Sequence, residues 1–161
     1  MRKVVKDINT DAVGISSKTG HSFEVCGSRE LVSYLERILS EIGAFDRVRE
    51  LPRVKEALTP YSDHWPFYMQ GVPAAHFQDT PSDPIDILYS HTSEDTVDKV
   101  DPKGLKDSAI ILALALMKIA DSEEIPVKHL PLKDIIKVLE EKGIAENLRV
   151  EKQWLREILP S

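Results

Sequence analysis

The sequence predicts an α/β fold with a helical hairpin attached after it. Three observations carry that expectation. Over residues 1–121, short apolar runs alternate with stretches of helical period, the order that builds a sheet covered by helices. The segment Ala109 to Met117 is apolar nearly all round, the pattern of a helix covered on several sides. Over residues 122–161 the strand signals stop and two amphipathic segments follow.

In chain order, Val4 to Ile8 reads as a short strand with Asp11 just past its end. Gly14 and Gly20 bracket a polar loop of Ser16, Ser17, Lys18 and Thr19, and Phe23 to Cys26 reads as a second strand. Ser28 is placed to cap a helix that runs to about Ile42 and that Gly43 stops. Its Leu31, Leu35, Ile38, Leu39 and Ile42 fall on one stripe at helical spacing. Val48 to Leu51 reads as an edge segment ended by Pro52. Asp63 to Met69 reads as a short helix with Pro66 near its start and Gly71 beyond its end.

Val72 to Phe77 then reads as a buried strand, with Pro73 marking an early or edge position. Gln78 to Asp86 is rich in Asp, Pro, Ser and Thr and reads as a loop. Ile85 to Tyr89 is an apolar run leading into His91, so Asp11 and His91 both follow predicted strands. In α/β sheets functional residues gather beyond strand carboxyl ends, so these two are candidates for one rim. Pro102 opens the longest helix, to about Asp121, and Ser122 to Pro126 is a linker. Leu132, Ile135, Ile136 and Leu139 mark a helix ending near Gly143, and Val150 to Leu159, with Trp154, marks a shorter one.

The 161 residues suffice for a buried core, and 42% apolar with 30% charged is ordinary for a globular chain. Against 27 Asp and Glu stand 21 Lys and Arg, a net charge of −6, which argues against a nucleic-acid binder, since that would need a basic face. The single cysteine, Cys26, cannot form an internal disulfide and reads as a buried, inert thiol. The N-terminus lacks the apolar core of a secretory signal, and the longest apolar run is about half the ~20 residues that span a bilayer. The expectation is a cytoplasmic protein with no membrane and no nucleic-acid partner.

Several residues are candidates for chemistry. His91 lies in the loop Tyr89-Ser90-His91-Thr92-Ser93-Glu94-Asp95-Thr96, and reads either as a metal ligand or as a solvated turn residue. Asp11, in Asn9-Thr10-Asp11-Ala12-Val13-Gly14, reads as a ligand or a turn former. Asp63 caps the short helix or joins a hydrogen-bond network behind a metal site. Tyr89 offers a phenol to a developing oxyanion or packs in the core. Asp95 and Thr96 fix the loop around His91. Trp65 and Phe67 line an apolar substrate pocket or pack in the core. His21, His76 and His129 show no ligand spacing. Neither G-x-S-x-G nor H-E-x-x-H occurs.

The ordered set of Asn9 to Gly14, Ser62-Asp63-His64-Trp65-Pro66-Phe67, Gly71-Val72-Pro73-Ala74-Ala75 and His91 to Asp101 resembles the C-terminal half of an M28-family zinc aminopeptidase, a family related to glutaminyl cyclases. The match covers roughly Val4 to Asp121. The resemblance implies a zinc-exopeptidase-like (phosphorylase/hydrolase-like) mixed sheet, two zinc ions, a peptide substrate and hydrolysis of the amino-terminal peptide bond. It carries Asp11 and His91 over as metal ligands. Family sites also use a histidine, a bridging aspartate and an adjacent Glu-Glu pair, all before the strand matched by Val4 to Ile8. No Glu-Glu pair precedes Asp11, and Glu123-Glu124 and Glu140-Glu141 fall after the matched region.

The expectation is therefore a C-terminal peptidase part over residues 1–121 that lacks the N-terminal half, with an appended helical hairpin over 122–161. Such a chain is part of a complete peptidase, as a cleaved product, an excised piece or a partner of an N-terminal-half subunit, or persists as a homo-oligomer or binding remnant, or is a small α/β interaction module whose terminal hairpin docks a partner; the expectation is the first, with the chain inactive alone. Two ligands rarely hold catalytic zinc, for which three are usual.

Overall fold

The computed structural model describes residues 4–15, 20–43, 50–81 and 87–151. Four strands, β1 (Asp7–Thr10), β2 (Gly20–Cys26), β3 (Arg53–Glu56) and β4 (Ala74–Thr80), form one sheet in the order β1-β4-β2-β3. β1 runs parallel to β4, β4 antiparallel to β2, and β2 parallel to β3, so the sheet is mixed. The helices are α1 (Arg29–Ile42), α2 (His64–Tyr68), α3 (Pro102–Ala120), α4 (Leu132–Glu141) and α5 (Ala145–Val150). The chain is α/β, as its alternating pattern predicts.

The two faces of the sheet differ in chemistry because side chains alternate along each strand. One face presents Phe23, Val25, Ala75 and Phe77 to Leu31, Leu35, Ile38, Leu39 and Ile42 of α1 and to Ile111, Ala115 and Ile119 of α3. The Phe23 and Phe77 rings lie 4.8 Å apart at a tilt, a favourable aromatic geometry. α1 forms as its stripe dictates, and the Ser28 side chain accepts from the Leu31 N–H at 3.2 Å, satisfying one of the helix's orphan donors.

The opposite face is half polar. Asn9, His76, Glu24 and Lys55 are register partners across all four strands, and the Lys55 ammonium meets Glu24 at 2.7 Å. Toward one end this face turns apolar: Cys26 and Ala74 pack with Trp65, Tyr68 and Met69 around α2, and with Ile135, Leu139, Ala145 and Leu148 of α4 and α5. The α4 stripe thus covers the sheet.

The structure shifts several elements. β1 begins at Asp7 rather than Val4, because its parallel ladder starts where Pro73 ends: Pro73 has no N–H, and its carbonyl accepts from the Asp7 N–H at 3.0 Å. An edge strand follows Pro52, while Val48 and Arg49 of the edge segment expected before it lie outside the described residues. β4 extends through Gln78, Asp79 and Thr80, which their polarity had assigned to a loop; antiparallel pairing with Gly20, His21 and Ser22 holds them in the sheet. Of the strand expected over Ile85 to Tyr89, Ile85 and Asp86 lie outside the described residues; residues 87–95 run through successive turns, with Ile87 and Leu88 exposed.

α3 is covered along one stripe only; Leu105, Leu116 and Met117 are exposed. Asp63 occupies the cap position of α2 but makes no capping hydrogen bond, its own backbone being helical (φ −66°, ψ −14°). α5 lies where the connection between the last two helices was expected, and the helix placed at Val150 to Leu159 falls almost wholly outside the described residues. Among the described residues, no helix is long and apolar enough to cross a membrane.

Candidate functional site

Two segments form the walls of a cleft of about 470 Å³. One wall is the loop Thr10 to Ile15 that leaves β1; the other is drawn from Ile87 to Val100 and includes Tyr89, His91, Asp95 and Lys99. Asp11 and His91, 80 residues apart in sequence, therefore share one cleft.

The first wall extends the pairing of β1 with β4: the Asp11 N–H donates to the Phe77 carbonyl at 3.2 Å and the Asp79 N–H to the Ala12 carbonyl at 3.0 Å. Gly14 then makes the contact that joins the walls. It sits at φ +78°, and a Cβ there would stand 3.1 Å from Leu105 Cβ and 3.3 Å from Val100 Cγ1. Its carbonyl accepts from the Asp101 N–H at 2.8 Å. Asp101 in turn caps α3, its carboxylate accepting from the Lys103 N–H at 2.9 Å.

Among the described residues, the non-glycine residues with left-handed backbones are Ala12 (φ +54°) and His91 (φ +62°), and both line this cleft. Such conformations cost on the order of 1–3 kcal/mol each and persist only where the surroundings impose them. Here the surroundings are turn hydrogen bonds. Thr92 donates both its N–H and its hydroxyl to the Tyr89 carbonyl, at 3.0 and 2.6 Å, and the Asp95 N–H donates to the Thr92 carbonyl at 3.2 Å.

The Asp11 carboxylate is oriented from two sides. Oδ1 accepts from the Ala12 N–H at 2.8 Å, and Oδ2 from the Ser62 hydroxyl at 2.9 Å. Ser62 Oγ itself accepts from the Asn9 side-chain amide at 2.6 Å. Each carboxylate oxygen has a second lone pair, so the relay from Asn9 through Ser62 fixes Asp11 without exhausting its capacity to bind a cation.

Behind the loop, Asp79 acts as a buried hub. Its Oδ2 accepts from the Ile15 N–H at 2.9 Å, and its Oδ1 meets His21 Nδ1 at 2.8 Å and the Ser108 hydroxyl of α3 at 3.4 Å. A hidden carboxylate thus ties β2, β4, α3 and the loop carrying Asp11 together.

The other candidates sit elsewhere. Tyr89 is on the cleft, its ring 5.1 Å below the Lys99 ammonium, which also holds Asp98 at 2.6 Å. Hydrogen bonds from Lys99 and Thr96 hold the Asp98 carboxyl down to about 2. Asp63 is exposed, and its charge adds to the burial that pushes the Asp7 carboxyl up. Trp65 is buried in the cluster around α2, and Phe67 packs against it; neither lines the cleft.

His64, fully buried, stacks on His76 with centroids 5.0 Å apart and shares a 3.2 Å hydrogen bond with the Thr59 hydroxyl. Burial first, and the neighbouring imidazole second, hold His64 down to about 4. Burial lowers His76 too.

Ser62 and Asn9 lay inside sequence motifs that drew attention for their neighbours, whereas Asp79, His21 and Ser108 carried no local signal, being 29 to 87 residues apart in their pairings.

A zinc ion needs three protein ligands in a catalytic site. Among the described residues, no group of three or more His, Cys, Asp and Glu side chains is placed to hold a metal ion. Asp11 and His91 supply a carboxylate and an imidazole to one cleft, which is not by itself a complete zinc site.

Fold and cleft together define an α/β domain of hydrolase-like build, with a loop-made polar cleft beyond the end of a sheet strand. A family model described as Peptidase family M28 matches residues 1–116, and the chain belongs to that family. Membership makes it metallopeptidase-like at the level of the family. Comparison with curated proteins and with solved structures returned no match.

Proposed function

We propose that this chain is a zinc-aminopeptidase-type domain that contributes Asp11 and His91 to a metal centre whose remaining donors are not among the described residues, the completed site cleaving the amino-terminal peptide bond. The observation that supports this is the convergence of Asp11 and His91 on one cleft, where the left-handed non-glycine residues of the described chain are Ala12, next to Asp11, and His91 itself. Ser62 and Asn9 orient the Asp11 carboxylate, and the turn closed by Thr92 presents the His91 ring. Tyr89, on the same wall, is positioned to offer its hydroxyl to charge that develops on a scissile carbonyl. Asp63 lies off this cleft.

The test is native mass spectrometry of the protein purified gently from its source, followed by hydrolysis of an aminoacyl-p-nitroanilide. The expected species holds this chain, the polypeptide that supplies the remaining donors and zinc, and loses metal and activity in Asp11→Asn and His91→Ala. The isolated chain is expected to be inactive. Chelator-sensitive hydrolysis by the isolated chain would refute the need for outside donors, and retention of metal by both variants in the complex would refute the ligand assignment.

A further inference from the structure

The sheet face opposite α1 hides polar atoms that the protein leaves without partners. Among the described residues, seven buried side-chain nitrogen and oxygen atoms lack a hydrogen-bond partner, and four of them belong to three neighbouring residues: Glu24 Oε2, His64 Nδ1 and both ring nitrogens of His76. Glu24 and His76 are register partners on β2 and β4, and the His64 and His76 rings stack at 5.0 Å and 18°. Glu24, His64 and His76 keep 5%, 0% and 7% of their surface. The chain itself closes these atoms off, so a polypeptide docked outside does not reach them. Buried polar atoms without partners are costly and native structures leave few, so four in one place mark a guest that bonds to them.

The chemistry selects the guest. Burial holds both imidazoles below their ordinary pKa, and so neutral at pH 7. A neutral imidazole has one N–H donor and one lone pair, and a carboxylate has lone pairs only. A cation would meet the lone pairs and leave the N–H groups stranded. Among the described residues, no group of three His, Cys, Asp and Glu side chains is placed to hold a metal ion. Water donates twice and accepts twice, and it bridges facing polar groups that do not bond directly.

His76 also lies beneath the Asp11 loop. Its register partner on β1 is Asn9, which starts the relay to the Asp11 carboxylate. The carbonyl of the next residue, Phe77, accepts from the Asp11 N–H at 3.2 Å. Asp11, through its charge and its backbone, and Glu24, through its charge, both oppose the downward shift that burial imposes on the His76 ring. The ring thus stands between Glu24 and Asp11. We propose that ordered water bridges Glu24 to His76 on this face, and that His76, so held, is a positioning residue for the Asp11 loop. Its bearing on a metal centre rests on the reading of Asp11 as a ligand; the water and the loop do not.

A crystal structure of the full chain at a resolution that shows water tests the first part, and amide hydrogen exchange by NMR the second. The expected structure holds water within about 3.2 Å of both Glu24 Oε2 and a His76 nitrogen. His76→Phe keeps an aromatic ring to stack on His64 and removes both nitrogens. It should speed exchange about fivefold, the worth of one net hydrogen bond, at the amides of Asp11 and Asp79, and leave the α1 amides unchanged. His76→Gln, which restores a donor and an acceptor, should return most of the protection. A structure without this water, a metal ion in its place, unchanged exchange in His76→Phe, or a loss that α1 shares equally and Gln does not restore overturns the proposal. If His76→Phe does not fold, Glu24→Ala, which removes the other end of the bridge, is read by the same exchange with the same expectation. Neither readout involves zinc, so a chain that binds none leaves both outcomes readable, and failure here leaves Asp11 as a ligand untouched.

Discussion

Replacing Asp79 by alanine should unfasten the loop that carries Asp11 without touching the cleft itself. The carboxylate is 2% exposed and has three partners: the Ile15 N–H at 2.9 Å, His21 Nδ1 at 2.8 Å and the Ser108 hydroxyl at 3.4 Å. Hydrogen bonds to a charged acceptor contribute on the order of 1.5–3 kcal/mol each, and the long Ser108 contact counts for little. Removing one partner of a buried pair also strands the other, at a total of roughly 3–5 kcal/mol.

The prediction is therefore a loss of about 3–5 kcal/mol in a urea titration followed by tryptophan fluorescence. That is a large part of the ~5–15 kcal/mol usual for a domain. Asp79→Asn keeps one acceptor and the shape, and should lose about half as much. A double cycle with His21→Ala should show coupling above about 1 kcal/mol. A loss below about 1 kcal/mol for Asp79→Ala, or strict additivity with His21→Ala, would mean that Asp79 is not the hub the geometry describes.

Three further outcomes are expected. Gly14→Ala meets both a left-handed backbone and Leu105 Cβ at 3.1 Å, and should cost roughly 1–3 kcal/mol in the same titration. Leu139→Ala removes a fully buried side chain from the cluster that α4 shares with α2, and should lose about 2–5 kcal/mol; a loss near zero would show that α4 does not cover the sheet.

Stability should also fall between about pH 6.5 and pH 4. His64 is held down to about 4 in the folded chain, against 6.5 unfolded, so over that window the unfolded chain binds more protons and acid favours it. The loss should reach roughly 2–3 kcal/mol and level off below pH 4. Urea midpoints across this range should show a flatter slope for His64→Gln.

Elements whose cause is local were legible in the sequence. α1 carries its stripe, its Ser28 cap and its Gly43 stop within 16 residues, and the structure reproduces all three. α3 was located by its composition, but its outer stripe was misjudged, because apolarity all round states what a helix needs covered and not what covers it. The strands slipped where burial and polarity part company. Gln78, Asp79 and Thr80 look like loop residues, yet β2 pairs with them and His21 receives Asp79.

Asp11 and His91 stood out as residues through their motifs. Their sharing one rim was expected from strand ends, but the loop and turn conformations that bring them together were not legible, because they depend on Gly14, Val100 and Asp101 packing across 86 positions or more. The hub of Asp79, His21 and Ser108 was hidden for the same reason: a contact between distant strands and a helix leaves no spacing to read.

The polar row of Asn9, His76, Glu24 and Lys55 also proofreads the sheet as it forms. Because side chains alternate, a strand that slipped by one residue would carry Glu24 or His76 into the layer of Phe23, Phe77 and the α1 leucines. A carboxylate or imidazole stranded there would cost several kcal/mol, so wrong pairings are rejected by chemistry on one face rather than by fit on the other. The sheet thereby keeps one alignment even though it has two open edges among the described residues, and the Asp11 loop inherits its position from that alignment.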